Sequence, residues 1–168
     1  MIEISRSYTF DAPAERVWSL LMDTDVLASC IMGCEGLEPD GVTENRYVIK
    51  LVVKLAAVMG SYNGSVQLVD VAPMLSYGLL AEGNGRPGFV KGKAAITLSP
   101  EGGSTVLTVK GEAQAGGAIA RVGQRLLGSA ARLMMDRFFK CLKRKAEGTE
   151  STGDDLDADE TGDAATGK

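Results

Sequence analysis

Ala113-Gln114-Ala115-Gly116-Gly117-Ala118-Ile119-Ala120-Arg121-Val122-Gly123-Gln124-Arg125-Leu126-Leu127 is where the chain changes its period. Before it, apolar residues recur at every second position, the spacing of a half-buried strand. After it they recur at helical spacing. At ~100° per residue, Ile119, Leu126, Leu127, Ala130, Met134 and Cys141 fall on one face, and Arg121, Arg125, Arg132, Asp136 and Lys143 on the opposite one. The Gly116-Gly117 pair permits the sharp change of direction, because glycine reaches backbone angles closed to other residues. One long helix is therefore expected to close a run of strands.

Working back from the helix, strands 89–99 and 104–115 are joined by a turn at Pro100-Glu101-Gly102-Gly103. Turn residues crowd 83–88, and Pro73 breaks the chain ahead of Tyr77, Leu79 and Ala81. Tyr62, Gly64, Val66 and Leu68 follow a turn at Gly60-Ser61. Tyr47, Ile49, Leu51, Val53 and Leu55 alternate with Val48, Lys50, Val52 and Lys54, which puts the lysines toward water. Connections this short indicate an antiparallel meander.

At the N-terminus, Ile2, Ile4, Tyr8 and Phe10 read as a strand. Asp11 is expected to cap a helix with Pro13 in its first turn and Val17, Trp18, Leu20 and Leu21 on its apolar face. Asp23-Thr24-Asp25 ends it and starts a second short helix through Val26, Leu27, Ala28 and Ile31; Gly33 and Gly36 read as a loop.

The fold class is α+β: a curved antiparallel sheet of about seven strands wrapped on a long C-terminal helix, with two short helices after strand one. A helix laid on a curved sheet leaves a wedge of space between them. Gly64, Ala81, Gly92, Ala94, Gly111 and Ala113 on the strands, with Gly123, Gly128 and Ala130 on the helix, supply small side chains there. Two readings stay open: these residues make room for a ligand, or they relieve strand curvature and allow close packing.

Charge divides the chain. Residues 1–116 carry 9 Lys/Arg against 13 Asp/Glu, 117–145 carry 8 against 1, and 146–168 carry 1 against 8. The expected organisation is a ligand-binding domain over 1–146 and a disordered acidic tail over 147–168. The tail can screen the basic helix, so Arg121, Arg125 and Arg132 read either as a solvated face that the tail partly covers or as a partner or peripheral membrane surface for which tail and partner compete; no nucleic-acid site is expected.

Histidine is absent from the 168 residues, which removes the commonest general base and metal ligand. Cys30, Cys34 and Cys141 are odd in number and sparse; they read as reduced thiols, and the chain as cytoplasmic. The Cys30/Cys34 spacing supplies too few ligands for zinc, so no metal site is expected. Glu35, Glu82 and Asp70 are the carboxylates available for acid–base work, and each reads as solvated. Tyr47, Tyr62 and Tyr77 fall on inward faces, where a phenol O–H either meets a ligand carbonyl or bonds a backbone group in a filled core.

Several stretches resemble a known family. Phe10-Asp11-Ala12-Pro13-Ala14-Glu15-Arg16-Val17-Trp18-Ser19-Leu20-Leu21-Met22-Asp23 resembles the first helix of the helix-grip proteins of the START and Bet v 1 type. Leu27-Ala28-Ser29-Cys30-Ile31-Met32-Gly33-Cys34-Glu35 is similar to a loop of the carbon monoxide dehydrogenase G-subunit family, usually Cys-Ile-Pro-Gly-Cys-Glu. Tyr47 with its strand, Gly92-Lys93-Ala94, the segment 116–127 and Phe138-Phe139 add to the likeness, which spans roughly 2–145. Met32 stands where the family usually has Pro. The short acidic tail differs from the apolar anchor of some members, which speaks against membrane insertion through it.

The resemblance implies an accessory protein, not an enzyme, for a molybdenum-containing carbon monoxide dehydrogenase or related hydroxylase. It implies help in bringing that enzyme to the inner face of the membrane, with a quinone or lipid as non-covalent ligand. From the residues themselves, the pocket is expected to be lined by Leu27, Ile31, Leu51, Val53, Tyr62, Tyr77, Leu79, Ile96, Leu126, Ala130 and Met134. The alternatives are a cyclase or aromatase using a pocket carboxylate or tyrosine, and an adaptor with a filled core.

Overall fold

A computed structural model describes residues 1–148. Strand β1 (Ile2–Phe10) leads into helices α1 (Ala14–Leu21) and α2 (Thr24–Cys30). Six strands follow: β2 (Cys34–Pro39), β3 (Arg46–Val53), β4 (Gly60–Ala72), β5 (Ser76–Gly85), β6 (Gly88–Glu101) and β7 (Ser104–Gly116). The closing helix α3 spans Gln124–Ala146. The strands form one antiparallel sheet in the order β1-β7-β6-β5-β4-β3-β2, so the first strand pairs with the last. The sheet bends around α3, as expected for the helix-grip arrangement.

Local details differ from the sequence reading at several points, each for a physical reason. Helix α1 begins after Pro13, which occupies the N-cap with extended backbone. Asp11 lies two residues too early to cap it; its N–H donates to Glu147 Oε2 at 2.7 Å instead. Asp23 caps α2 as expected, accepting from the N–H groups of Asp25 and Val26. Cys34–Pro39, read as loop, is an edge strand on β3, with a register shift between Cys34 and Gly36 that disguises its alternation. The long helix starts at Gln124 rather than after Gly117. Gly117 (φ +77°) and Gly123 (φ +98°) bracket a 3₁₀ segment, Gly117–Val122, which buries Ile119.

Asp136, assigned to the solvent face of the helix, turns toward β1. There Arg6 takes an inward position between Ile4 and Tyr8, breaking the apolar alternation. Arg6 donates to Asp136 Oδ2 at 3.1 Å, and the Tyr8 hydroxyl donates to Asp136 Oδ1 at 2.6 Å. Burial, followed by the bond to Asp136, pushes the Tyr8 phenol well above its usual value.

The cysteines also depart from expectation. Cys30 and Cys141, 111 residues apart, form a disulfide with Cα atoms 5.5 Å apart, leaving Cys34 as the free thiol. The reduced-thiol reading of this pair is therefore wrong, and the cysteine argument for a reducing compartment falls with it. Sequence spacing cannot show that α2 and the C-terminal half of α3 meet. Residues 149–168, which hold most of the expected acidic tail, lie outside the described residues.

The larger cluster of buried residues is at the end where α1 and the last turns of α3 meet β1 and β7. Phe10, Val17, Leu107 and Leu142 are fully buried there, and Tyr8 stacks on Phe139 with ring centroids 4.4 Å apart. Thr105, also fully buried, donates its hydroxyl to the Ala12 carbonyl at 2.8 Å, tying the turn before α1 to β7. Thr105→Val should cost about 1–3 kcal/mol by stranding that carbonyl, and Thr105→Ser less, measured by urea denaturation. Equal stability of wild type and the valine variant would show that the bond contributes nothing.

Candidate functional site

Toward the other end of the sheet the packing opens. Strands β4, β5, β6 and β7 present Gly64, Ala81, Gly83, Gly92, Ala113 and Ala115 to the concave side, while α3 offers Ala130 and Ala131 above them. Two apolar chambers lie between helix and sheet. The first, about 380 Å³, is walled by Leu51, Val53, Val58, Tyr62, Ile119, Leu127 and Met134 in addition to the small residues. The second, about 310 Å³, lies under α2 and is walled by Leu27, Ile31, Leu37, Tyr47, Tyr77, Leu79, Ile96, Met135 and Phe138. Ile49 and Val66 border both, so the chambers adjoin. Volumes of this order match small-molecule sites.

Both readings of the strand glycines have support, at different positions. A Cβ at Gly64 would run into the Glu82 carbonyl, and one at Gly111 would meet the Lys93 carbonyl at 2.7 Å. Those two permit close strand approach. A Cβ at Gly83 would meet nothing within 4 Å, so this glycine leaves open space in the first chamber.

Ten of the eleven pocket residues expected from sequence line one chamber or the other. Leu126 does not. It is 53% exposed in the first turn of α3, because the late helix start rotates Leu127 inward instead. Sequence reasoning passed over Met135, Phe138 and Gly83. Helical spacing held the signal for the first two, since Ala131, Met135 and Phe138 form a row beside Ala130 and Met134.

The three inward tyrosines have different roles. Tyr62 is committed internally, its hydroxyl donating to the Val58 carbonyl at 2.7 Å. Tyr77 is buried against Trp18, edge to face at 5.6 Å, and its hydroxyl has no hydrogen-bond partner among the described residues; the same holds for the Tyr47 hydroxyl. Burial pushes the Tyr77 phenol far above its usual value, so it remains an O–H donor in the second chamber.

The carboxylates considered for acid–base work, Glu35, Glu82 and Asp70, are all exposed. Glu82 borders the first chamber, and it is the one charged residue in either described lining. Arg121 and Arg125 are exposed on or just before α3. Arg132 is half-buried, its guanidinium lying over Gly128, where an added Cβ would come within 3.0–3.4 Å of it. A larger hollow of about 540 Å³ lies on the opposite face of the sheet. Its walls carry Arg46, Glu82, Lys91, Lys93 and Glu112, and Lys93 already pairs with Glu112 at 3.6 Å, so it is unsuited to an apolar occupant.

With this geometry in view, the likeness to known proteins is informative. The family model for the G subunit of carbon monoxide dehydrogenase (CoxG) matches residues 7–147. The chain belongs to that family. A conserved protein from Geobacillus kaustophilus is 37% identical, with a TM-score of 0.84 over 88% of this chain and 97% of that one. A START superfamily protein from Mycobacterium smegmatis shares the fold at 14% identity, TM-score 0.66, covering 88% of this chain and 99% of that one. So does the Zhui aromatase/cyclase from Streptomyces sp. R1128, at 16% identity, TM-score 0.63, covering 86% and 93%. Among curated proteins there is no significant sequence match. In this CoxG-family chain, no helix among the described residues is long and apolar enough to cross a membrane.

Because burial favours the neutral phenol, Tyr77 stabilises the fold fully below its unfolded value of about 10, and that contribution is lost as pH rises further. Urea midpoints should therefore fall above about pH 10, and Tyr77→Phe should make the decline shallower. An identical decline in the variant would place the phenol in water.

Proposed function

We propose that this CoxG-family protein is a non-catalytic carrier of a bulky apolar molecule, a quinone or lipid, serving a molybdenum-containing carbon monoxide dehydrogenase or a related hydroxylase. One observation supports the carrier reading above the rest: two adjoining apolar chambers, into one of which the Tyr47 and Tyr77 phenols bring hydroxyls with no hydrogen-bond partner among the described residues. Apolar walls favour a hydrocarbon body, and a phenol O–H suits a carbonyl acceptor on its head group. Family membership supports the dehydrogenase as partner.

Membership of the CoxG family is also what supports a cytoplasmic place at the inner face of the membrane. Exposed Arg121 and Arg125 suit contact with anionic lipid there or with an acidic partner. A second reading, a cyclase-like enzyme, draws on the fold shared with aromatase/cyclases. It would need chemistry from the phenols, since the bordering carboxylate is exposed.

Native mass spectrometry with lipid extraction, on protein from a quinone-producing host, tests the proposal. A co-purifying apolar molecule is expected. Ala130→Trp and Gly83→Leu, which fill the first chamber, should each reduce its occupancy about tenfold or more, an effect of roughly 1.4 kcal/mol. Leu126→Trp, on the exposed side, should leave occupancy unchanged. Protein that is empty and takes up no added quinone would reject the carrier reading. A ligand recovered chemically altered would favour the enzyme.

A further inference from the structure

The Cys30–Cys141 disulfide sits directly behind the wall of the second chamber. Leu27 lies one turn before Cys30 on α2, and Phe138 lies one turn before Cys141 on α3; both side chains line that chamber. Ile31, the residue after Cys30, lines it too. The bond thus joins the helix covering the chamber to α3, which supplies another of its walls. Helix α2 is poorly suited to hold its position without that joint. It has seven residues, too few to persist on its own strength. The side-chain hydrogen bonds of Asp23 and Ser29 stay within α2 and its cap. Cys30 is its one buried residue. Cys141 is half-buried, which leaves one side of the bond within reach of a small reductant.

We propose that this disulfide is a redox-operated latch on the cavity, holding α2 down over the second chamber when oxidised and freeing it when reduced. A dithiol reductant supplies two electrons and two protons. Its thiolate attacks one sulfur, the Cys30–Cys141 bond breaks, and two cysteine thiols form as the reductant closes to its own disulfide. With the staple gone, α2 is held by apolar contact and its N-cap alone, and local opening exposes Leu27, Ile31 and the chamber beneath. The gating role rests on the carrier reading given above. It adds that ligand exchange is fast in the reduced protein and slow in the oxidised one.

The test uses the full chain carrying Cys34→Ser, so that the two latch cysteines alone remain. Intact mass should show the air-oxidised protein two hydrogens lighter than after dithiothreitol. Reduction should raise amide hydrogen exchange over residues 24–31 about tenfold or more while β6 and β7 stay protected. Uptake of the neutral dye N-phenyl-1-naphthylamine should quicken in parallel. Adding Cys141→Ser should reproduce the reduced behaviour without reductant, and dithiothreitol should then change nothing further. Two free thiols in the oxidised protein, or exchange over 24–31 that ignores the redox state, would overturn the latch. So would exchange that rises equally in β6 and β7, which marks general loosening. Dye uptake at one rate in both states overturns the latch and leaves the carrier reading standing. Dye that binds in neither state rejects the carrier reading and the gating with it.

Discussion

Everything in this molecule depends on α3 lying across the concave side of a bent sheet. An apolar sheet face needs cover, and a single helix is too narrow to fill a curved trough along its whole length. At one end the trough is filled by large side chains, with Phe10, Leu107, Phe139 and Leu142 buried in one cluster. Elsewhere the strands carry glycine and alanine, and the same helix roofs over open space. Close packing and open space are thus divided along one element.

Polar and covalent ties set where the helix lies. Asp136 receives both Arg6 and Tyr8 from β1, which fixes the rotation of α3 at the packed end. Each of these groups is partly open to solvent, so the pair contributes orientation more than energy. The 3₁₀ segment and Gly123 delay the helix start, and that delay decides that Leu127 faces the cavity while Leu126 faces out. The disulfide ties the end of α2 to the C-terminal half of α3, beside the chamber under α2.

The chemistry of the site follows from what its walls lack. Apart from exposed Glu82 and the hydroxyls of Thr24 and Ser65, the described lining presents apolar side chains and phenols. A phenol kept neutral by burial donates a hydrogen bond to whatever acceptor lies opposite it. Membership of the CoxG family fits an accessory role, and the likeness to aromatase/cyclases shows how far one scaffold is shared among functions.

Much of this was legible in the sequence, because periodicity is a local property. The alternation through Tyr47–Val53 and the helical spacing of Leu127, Ala130 and Met134 follow from backbone geometry that neighbours in the chain set for themselves. Inward faces could therefore be read off, and with them most of the chamber walls. Other features needed the tertiary structure because they join distant residues. The Cys30–Cys141 bond spans 111 positions, Arg6 is reconciled with an inward face by Asp136 on another element, and Gly83 is distinguished from Gly64 by what stands opposite its missing Cβ. Leu126 shows the same limit on a smaller scale. One face of a helix can be read from spacing, but the point at which the helix begins was set by two glycines with positive φ, and that point decided which leucine reached the cavity.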